Sequence, residues 1–315
     1  SRVYVAGGLA ICVVATDTFT VVDSIPNDGF TPSLAISPDG SRLYVLQVGA
    51  VEELIAIDTV SLEVAASYDQ GIDILSTSMA ISPDGSQLYV GALELWEFDA
   101  ATLDLVETVP LGNWVDDELA FSPDGSLLYV FEDSTPQAQV FVVDPATNGV
   151  LDTIPTNGDD PTGIAVDPNR PRLYFVDAST DTFTTVRTQD NQVIGVRPVG
   201  ADPQSVAVHP DGSRLYVVNS GDGTTWSIDL RDLATEIVTV GADPHSSGGL
   251  FIGPGSIGGS VRGIDLTTVT CLNSTTGQSI VVTPPPGVKG WDCTSAGLDS
   301  SPGDIIRMLV QGVEP

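Results

Sequence analysis

Lysine is almost missing from this 315-residue chain. Lys289 is the only one, and all 11 basic residues together face 42 acidic ones, a formal net charge of −31. A field of that sign repels phosphate backbones and anionic lipid, so the expectation is no nucleic-acid partner and no anionic membrane surface. Histidine is nearly as scarce, with His209 and His245 the only two. Neither CxxC nor HxxxH spacing occurs, so no transition-metal site is legible. No apolar run approaches the roughly 18–20 residues of a membrane helix, which leaves no span to expect. Helix-forming stretches are scarce, and aromatic residues make up 6% of the chain.

What the chain has instead is short bursts of Val, Ile, Leu and Tyr separated by Gly, Pro, Asp and Asn, the vocabulary of strands and turns. Six of its seven tyrosines fall in one recurring phrase, of which Arg42-Leu43-Tyr44-Val45 is typical. They are Tyr4, Tyr44, Tyr89, Tyr129, Tyr174 and Tyr216, at steps of 40, 45, 40, 45 and 42 residues. A period near forty marks a repeat architecture. Within one repeat, Ser33–Ile36, Arg42–Leu46, Leu54–Asp58 and Glu63–Tyr68 read as four strands. The turn Ser37-Pro38-Asp39-Gly40 joins the first two and recurs at 82–85 and 122–125, with His209 replacing Ser at 209–212. Pro presets φ, Asp bonds its own backbone and Gly accepts positive φ. A degenerate copy, Asp167-Pro168-Asn169-Arg170, has Arg where the others have Gly.

Four antiparallel strands repeated in series predict an all-β fold, a β-propeller of four-stranded blades. The unit Ala-Ile-Ser-Pro-Asp-Gly-Ser-Arg-Leu-Tyr-Val, followed by a Val-Asp-x-x-Thr strand, resembles the YVTN family of bacterial and archaeal propellers over about residues 1–255. That family includes surface-layer proteins, periplasmic binding proteins and enzyme subunits, so the resemblance implies a fold more than an activity. Six tyrosine phrases predict six blades, with seven the alternative if the tail adds an atypical one. The chain opens on a second-strand phrase, and Gly249–Ile252 supplies an apolar strand with no tyrosine phrase after it. The two ends are therefore expected to complete one blade together.

After Gly255 the repeat stops, and residues 256–315 read as a small β-sandwich-like module with a Pro-rich loop. Cys271 and Cys293 are expected to form a disulfide there, which would place the chain in an oxidising, extracytoplasmic compartment, whether secreted, periplasmic or at the cell surface. Such a staple would contribute about 3 kcal/mol to a thin core. Cys12 reads as a buried small hydrophobe in an apolar strand. The start at Ser1 rather than Met reads as a processed end. Asn273-Ser274-Thr275 is a glycosylation sequon.

The repeat tyrosines are expected in the core, packing blade against blade with hydroxyls bonded to backbone. The residues at the start of each first strand are expected to line one mouth of a central channel. Alignment places Ser33, Ser78, Glu118, Gly163, Ser205 and Ser246 at equivalent positions. Beside them stand Trp114, Asp116, Asp117, Asp160, Gln204 and His245, a polar, acidic set that could hold a hydroxyl-bearing small molecule, a glycan or a cation. No catalytic residue is assigned: only His245 could act as a base near Ser205 or Ser246, and no nucleophile-elbow phrase occurs. The Asp-rich loops at 158–161 and 220–223 lack the Asp-x-Asp-x-Asp pattern of an EF-hand. No cofactor is therefore expected, with Ca2+ the one that could be accommodated. The reading is a non-catalytic binding or assembly module with a protein partner or a second copy. The alternatives are a calcium-dependent hydrolase or lactonase at the channel, and a non-cofactor subunit of an extracytoplasmic redox complex.

Overall fold

The computed structural model describes residues 2–6, 10–15, 20–26, 30–48, 52–72, 78–111, 115, 118–132, 138–240, 265–273, 279–282 and 306–313. All regular elements there are strands. No helix among the described residues is long and apolar enough to cross a membrane.

The first blade holds β1 (Arg2–Ala6), β2 (Ala10–Ala15) and β3 (Val21–Pro26). The second holds β4 (Phe30–Ile36), β5 (Arg42–Val48), β6 (Glu52–Asp58) and β7 (Val64–Tyr68). In the third are β8 (Met79–Ile81), β9 (Gln87–Gly91), β10 (Leu95–Asp99) and β11 (Leu105–Val109). In the fourth are β12 (Leu119–Phe121), β13 (Leu128–Glu132), β14 (Gln139–Asp144) and β15 (Gly149–Pro155). β16 (Pro161–Val166), β17 (Arg172–Asp177), β18 (Thr182–Arg187) and β19 (Gln192–Pro198) make the fifth. β20 (Pro203–Val208), β21 (Arg214–Asn219), β22 (Thr224–Asp229) and β23 (Thr235–Thr239) make the sixth. Each blade is an antiparallel meander, and six of them form the ring of the expected six-bladed propeller. The strand predicted at 249–252 and the domain boundary at 255/256 lie outside the described residues. Beyond them, β24 (Asp265–Asn273), β25 (Ser279–Val282) and β26 (Ile306–Val313) form a separate sheet ordered β25-β24-β26.

The middle strands of the second to fifth blades are buried on both faces because neighbouring blades sandwich them, whereas those of the first and sixth blades are only partly buried. Alternation with period two therefore sends successive side chains to different neighbours. Leu43 and Val45 of β5 pack against Ile11 and Val13 of the first blade. Tyr44 and Leu46 of the same strand pack against Leu88, Val90 and Phe98 of the third. The pattern recurs down the chain, giving five cores that each join two consecutive blades. Each fully buried Leu, Val, Ile or Phe contributes about 1.5–3 kcal/mol relative to exposure. The apolar bursts in the sequence are thus inter-blade packing.

The tyrosines carry one polar atom into that packing. Tyr44 donates to the Ala100 carbonyl of the next blade at 2.8 Å. Tyr89 donates to Asn148 Oδ1 at 2.8 Å and reaches the Pro145 carbonyl at 3.4 Å. Tyr174 turns instead to its own blade, to Asp167 Oδ2 at 3.3 Å. The expected backbone partner is therefore found for the first two, and Tyr174 takes a carboxylate because its turn replaces Ser by Asp. Burial pushes the Tyr129 and Tyr174 phenols up to about 12.

Cys12 departs from its expectation. It is half-buried, while its neighbours Ile11 and Val13 point into the core and are fully buried. Alternation along β2 leaves Cys12 on the opposite face.

Candidate functional site

Each blade has a turn end, with the Pro-Asp-Gly turns and the hairpins joining third to fourth strands. The opposite, connection end carries the loops between second and third strands and the crossings into the next blade. The turn end is built from a repeated set of bonds. Asp39 Oδ1 accepts from Ser37 Oγ at 2.6 Å, from the Ser41 amide at 2.9 Å and from Ser41 Oγ at 2.8 Å. The bonds recur at Asp84 and Asp124, and Gly40, Gly85, Gly125 and Gly212 hold φ of 71–75°. Those hydrogen bonds hold the Asp39, Asp84, Asp124 and Asp211 carboxyls down at about 2. His209 sits in this turn as expected, its Nδ1 2.7 Å from Asp211 Oδ1. In the degenerate turn, Arg170 pairs with fully buried Asp167 at 3.2 Å and donates to the Gly212 carbonyl of the next blade.

The expected ligand mouth belongs to the connection end. Glu118, at the start of β12, is buried, and its carboxylate accepts the Ile164 amide of β16 at 2.6 Å. It therefore bridges the inner strands of two blades. The equivalent residue of the next blade, Gly163, does the opposite job: a Cβ there would lie 2.9 Å from the Ser205 Cα, so only glycine lets β16 and β20 approach so closely. Ser33, Ser78 and Ser205 are buried at the same register. The aligned positions are thus inter-blade joints of matched size. Asp160 is exposed on the crossing before β16, with its carbonyl accepting the Ala178 amide at 2.8 Å. Gln204 is half-buried and donates to Asp202 Oδ1 at 2.7 Å. Trp114, Asp116, Asp117, Ser246 and His245 lie outside the described residues, as does Cys293.

Two residues of this end were not singled out in the sequence: Asp177 and Asn219. Both close a tyrosine phrase, Arg172-Leu173-Tyr174-Phe175-Val176-Asp177 and Arg214-Leu215-Tyr216-Val217-Val218-Asn219, and both have no exposed surface. Their signal was a polar residue ending an otherwise apolar buried strand. Charge also divides between the ends. Arg2, Arg42, Arg170, Arg172, Arg187, Arg214 and Arg231 stand at the turn end, and Arg197 stands toward the connection end. Among the described residues no three His, Cys, Asp or Glu converge as a metal cluster.

No family model matches the chain, and no curated protein matches it. Among solved structures 1631 chains match, so shape alone selects no activity. One of them is a chain of Kuenenia stuttgartiensis hydrazine synthase, at 17% identity and a TM-score of 0.51, over 73% of this chain and 93% of that one. At that identity the likeness concerns shape only, and what this chain is similar to is a β-propeller.

Proposed function

We propose that the chain is a non-catalytic binding and assembly module of the YVTN type, working outside the cytoplasm with its 256–315 module stapled by Cys271 and Cys293. One observation carries the assembly reading. The outermost strand of every blade exposes large apolar side chains, among them Val22, Val64, Val106, Leu151, Ile194 and Ile237. Leu151 is 61% exposed. Among the described residues no further strand pairs with the outer edges of these strands, which makes the wall of the ring a template for another strand or sheet. Edge strands of monomers are commonly guarded by lysine, and none stands here. The hydrolase alternative is weaker, because the Glu118 carboxylate it would employ is committed to the Ile164 amide. The strong acidity favours solubility, and any protein partner is expected to be neutral or basic where it meets the connection end.

Sedimentation of the full chain across a wide concentration range tests this. Concentration-dependent association that is lost in a Val106→Lys, Leu151→Lys variant supports it. A strictly monomeric chain, or association indifferent to both substitutions, overturns it. Solvent-exposed changes of this kind move stability by only about 0.5 kcal/mol, so loss of association would not reflect unfolding.

A further inference from the structure

We propose that the outer edge of β19, in the fifth blade, docks on the outer strand β15 of a second copy of this chain. This contact rests on the assembly function proposed above and gives it a geometry. The outer strands differ at one position, the residue two strands outward from each repeat tyrosine. It is Asp23, Glu107, Asp152 and Glu236 in the first, third, fourth and sixth blades. A charge at the middle of an open strand edge guards it against pairing. The second blade has Ala66 there and the fifth has Gly195, so both lack the guard.

Gly195 has no internal reason to be glycine. Its φ is not positive, and a Cβ there would meet nothing within 4 Å. Glycine weakens a strand interior and marks places where another backbone comes close. Around it, Val193, Ile194 and Val196 are 40–43% exposed. Arg197 follows, exposed and without an ion pair among the described residues. β19 carries no Asp or Glu, and of the six outer strands it alone carries a basic residue. β7, which also lacks the central acid, has no cation to offer.

Charge selects the occupant. Two copies at −31 repel, so they meet best where one brings a cation to an acid of the other. β15 matches β19 at seven residues each, and both are the last strands of their sheets. β15 exposes Leu151 and Asp152 side by side. Asp152 stays exposed although it accepts Asn191 Nδ2 at 2.8 Å and the Thr153 amide at 2.9 Å. Main-chain bonds between the two edges would hold the copies together, with Gly195 admitting the second backbone and Arg197 facing the acidic strand. Different surfaces meet in such a contact, so it is heterologous and repeats from copy to copy.

The test is sedimentation of the full chain as wild type, as Gly195→Asp and as Leu151→Lys. Gly195→Asp restores the carboxylate of the other blades and should raise the half-association concentration about 100-fold. Leu151→Lys should do the same from the other side. An equimolar mixture of the two variants should form a dimer and nothing larger, because one keeps β15 intact and the other keeps β19. That rescue also shows that both variants are folded. If the wild type associates but Gly195→Asp associates equally well, or the mixture stays monomeric, this contact is overturned while the assembly function stands. A strictly monomeric wild type overturns both. Should Gly195→Asp fail to fold, Arg197→Glu takes its place in the same mixture, with the same outcomes deciding.

Discussion

The two ends of each blade obey different rules. At the turn end, three turns share one set of bonds, and the fourth keeps the amide bond to its aspartate with His209 in place of the serine. At the connection end, equivalent positions hold Glu118, Gly163 and Ser205 in three successive blades, and each joint is solved separately. A turn closes on itself within a few residues, so the same letters work in every blade. A crossing must fit the particular neighbour it reaches, so its residues vary with the gap.

The sharpest way to break this contrast is a methyl group at each end. Gly158→Ala would drive a Cβ into Asp177 and Ser179, and overpacking of this kind is expected to cost about 3 kcal/mol in a denaturant melt. A cost below that of the turn-end glycine described below would show that the crossing is not tightly fitted.

The degenerate turn comes next. Arg170→Ala strips the partner from fully buried Asp167 and removes the link to Gly212. The expected loss is about 2–3 kcal/mol, less than for a fully buried pair because Arg170 is 39% exposed. Adding Asp167→Asn should recover part of it, since the stranded charge disappears. No recovery would mean that the arginine acts through packing alone.

Tyr44→Phe removes one inter-blade hydrogen bond and leaves the Ala100 carbonyl buried without it, for about 1–1.5 kcal/mol. Gly40→Ala should cost about 1 kcal/mol from its positive φ alone, because nothing lies within 4 Å of the added methyl.

The smallest effect is read from pH. A carboxylate whose pKa is lower in the fold than in the unfolded chain stabilises fully above 3.8, and that contribution is lost as pH falls toward 2. The melting midpoint should therefore hold steady down to about pH 4 through these turns, then decline between 3.8 and 2. The phenols work in the opposite direction: raised to about 12, Tyr129 and Tyr174 stabilise fully below 10 and lose that contribution between 10 and 12. Absorbance of tyrosinate during alkaline titration should rise together with unfolding. Ionisation of all tyrosines near 10 in the folded chain would contradict the inter-blade burial.

Much of the fold was legible because its signals are local and repeated. The Pro-Asp-Gly turns and tyrosine phrases predicted six blades, and the four strands read at 33–68 appear as β4 to β7. The candidate mouth was less legible. Alignment found the right register for Ser33, Glu118 and Ser205, yet could not tell a residue facing a channel from one wedged between inner strands. Cys12 failed for a related reason: apolar neighbours on both sides do not reveal which face of a strand meets the core. Asp177 was overlooked because its burial arises from Gly158, nineteen positions earlier, lying across it.

By itself the sequence determined the repeat, the strand-and-turn grammar and the excess of negative charge, since each depends on residues within a few positions of one another or on a simple count. Only the tertiary structure decided which carboxylates are spent on amides, which glycines mark a close crossing, and that Asp177 is sealed with one oxygen unpartnered. Those facts belong to contacts between neighbouring strands and blades, and burial and charge compensation exist only once they have packed.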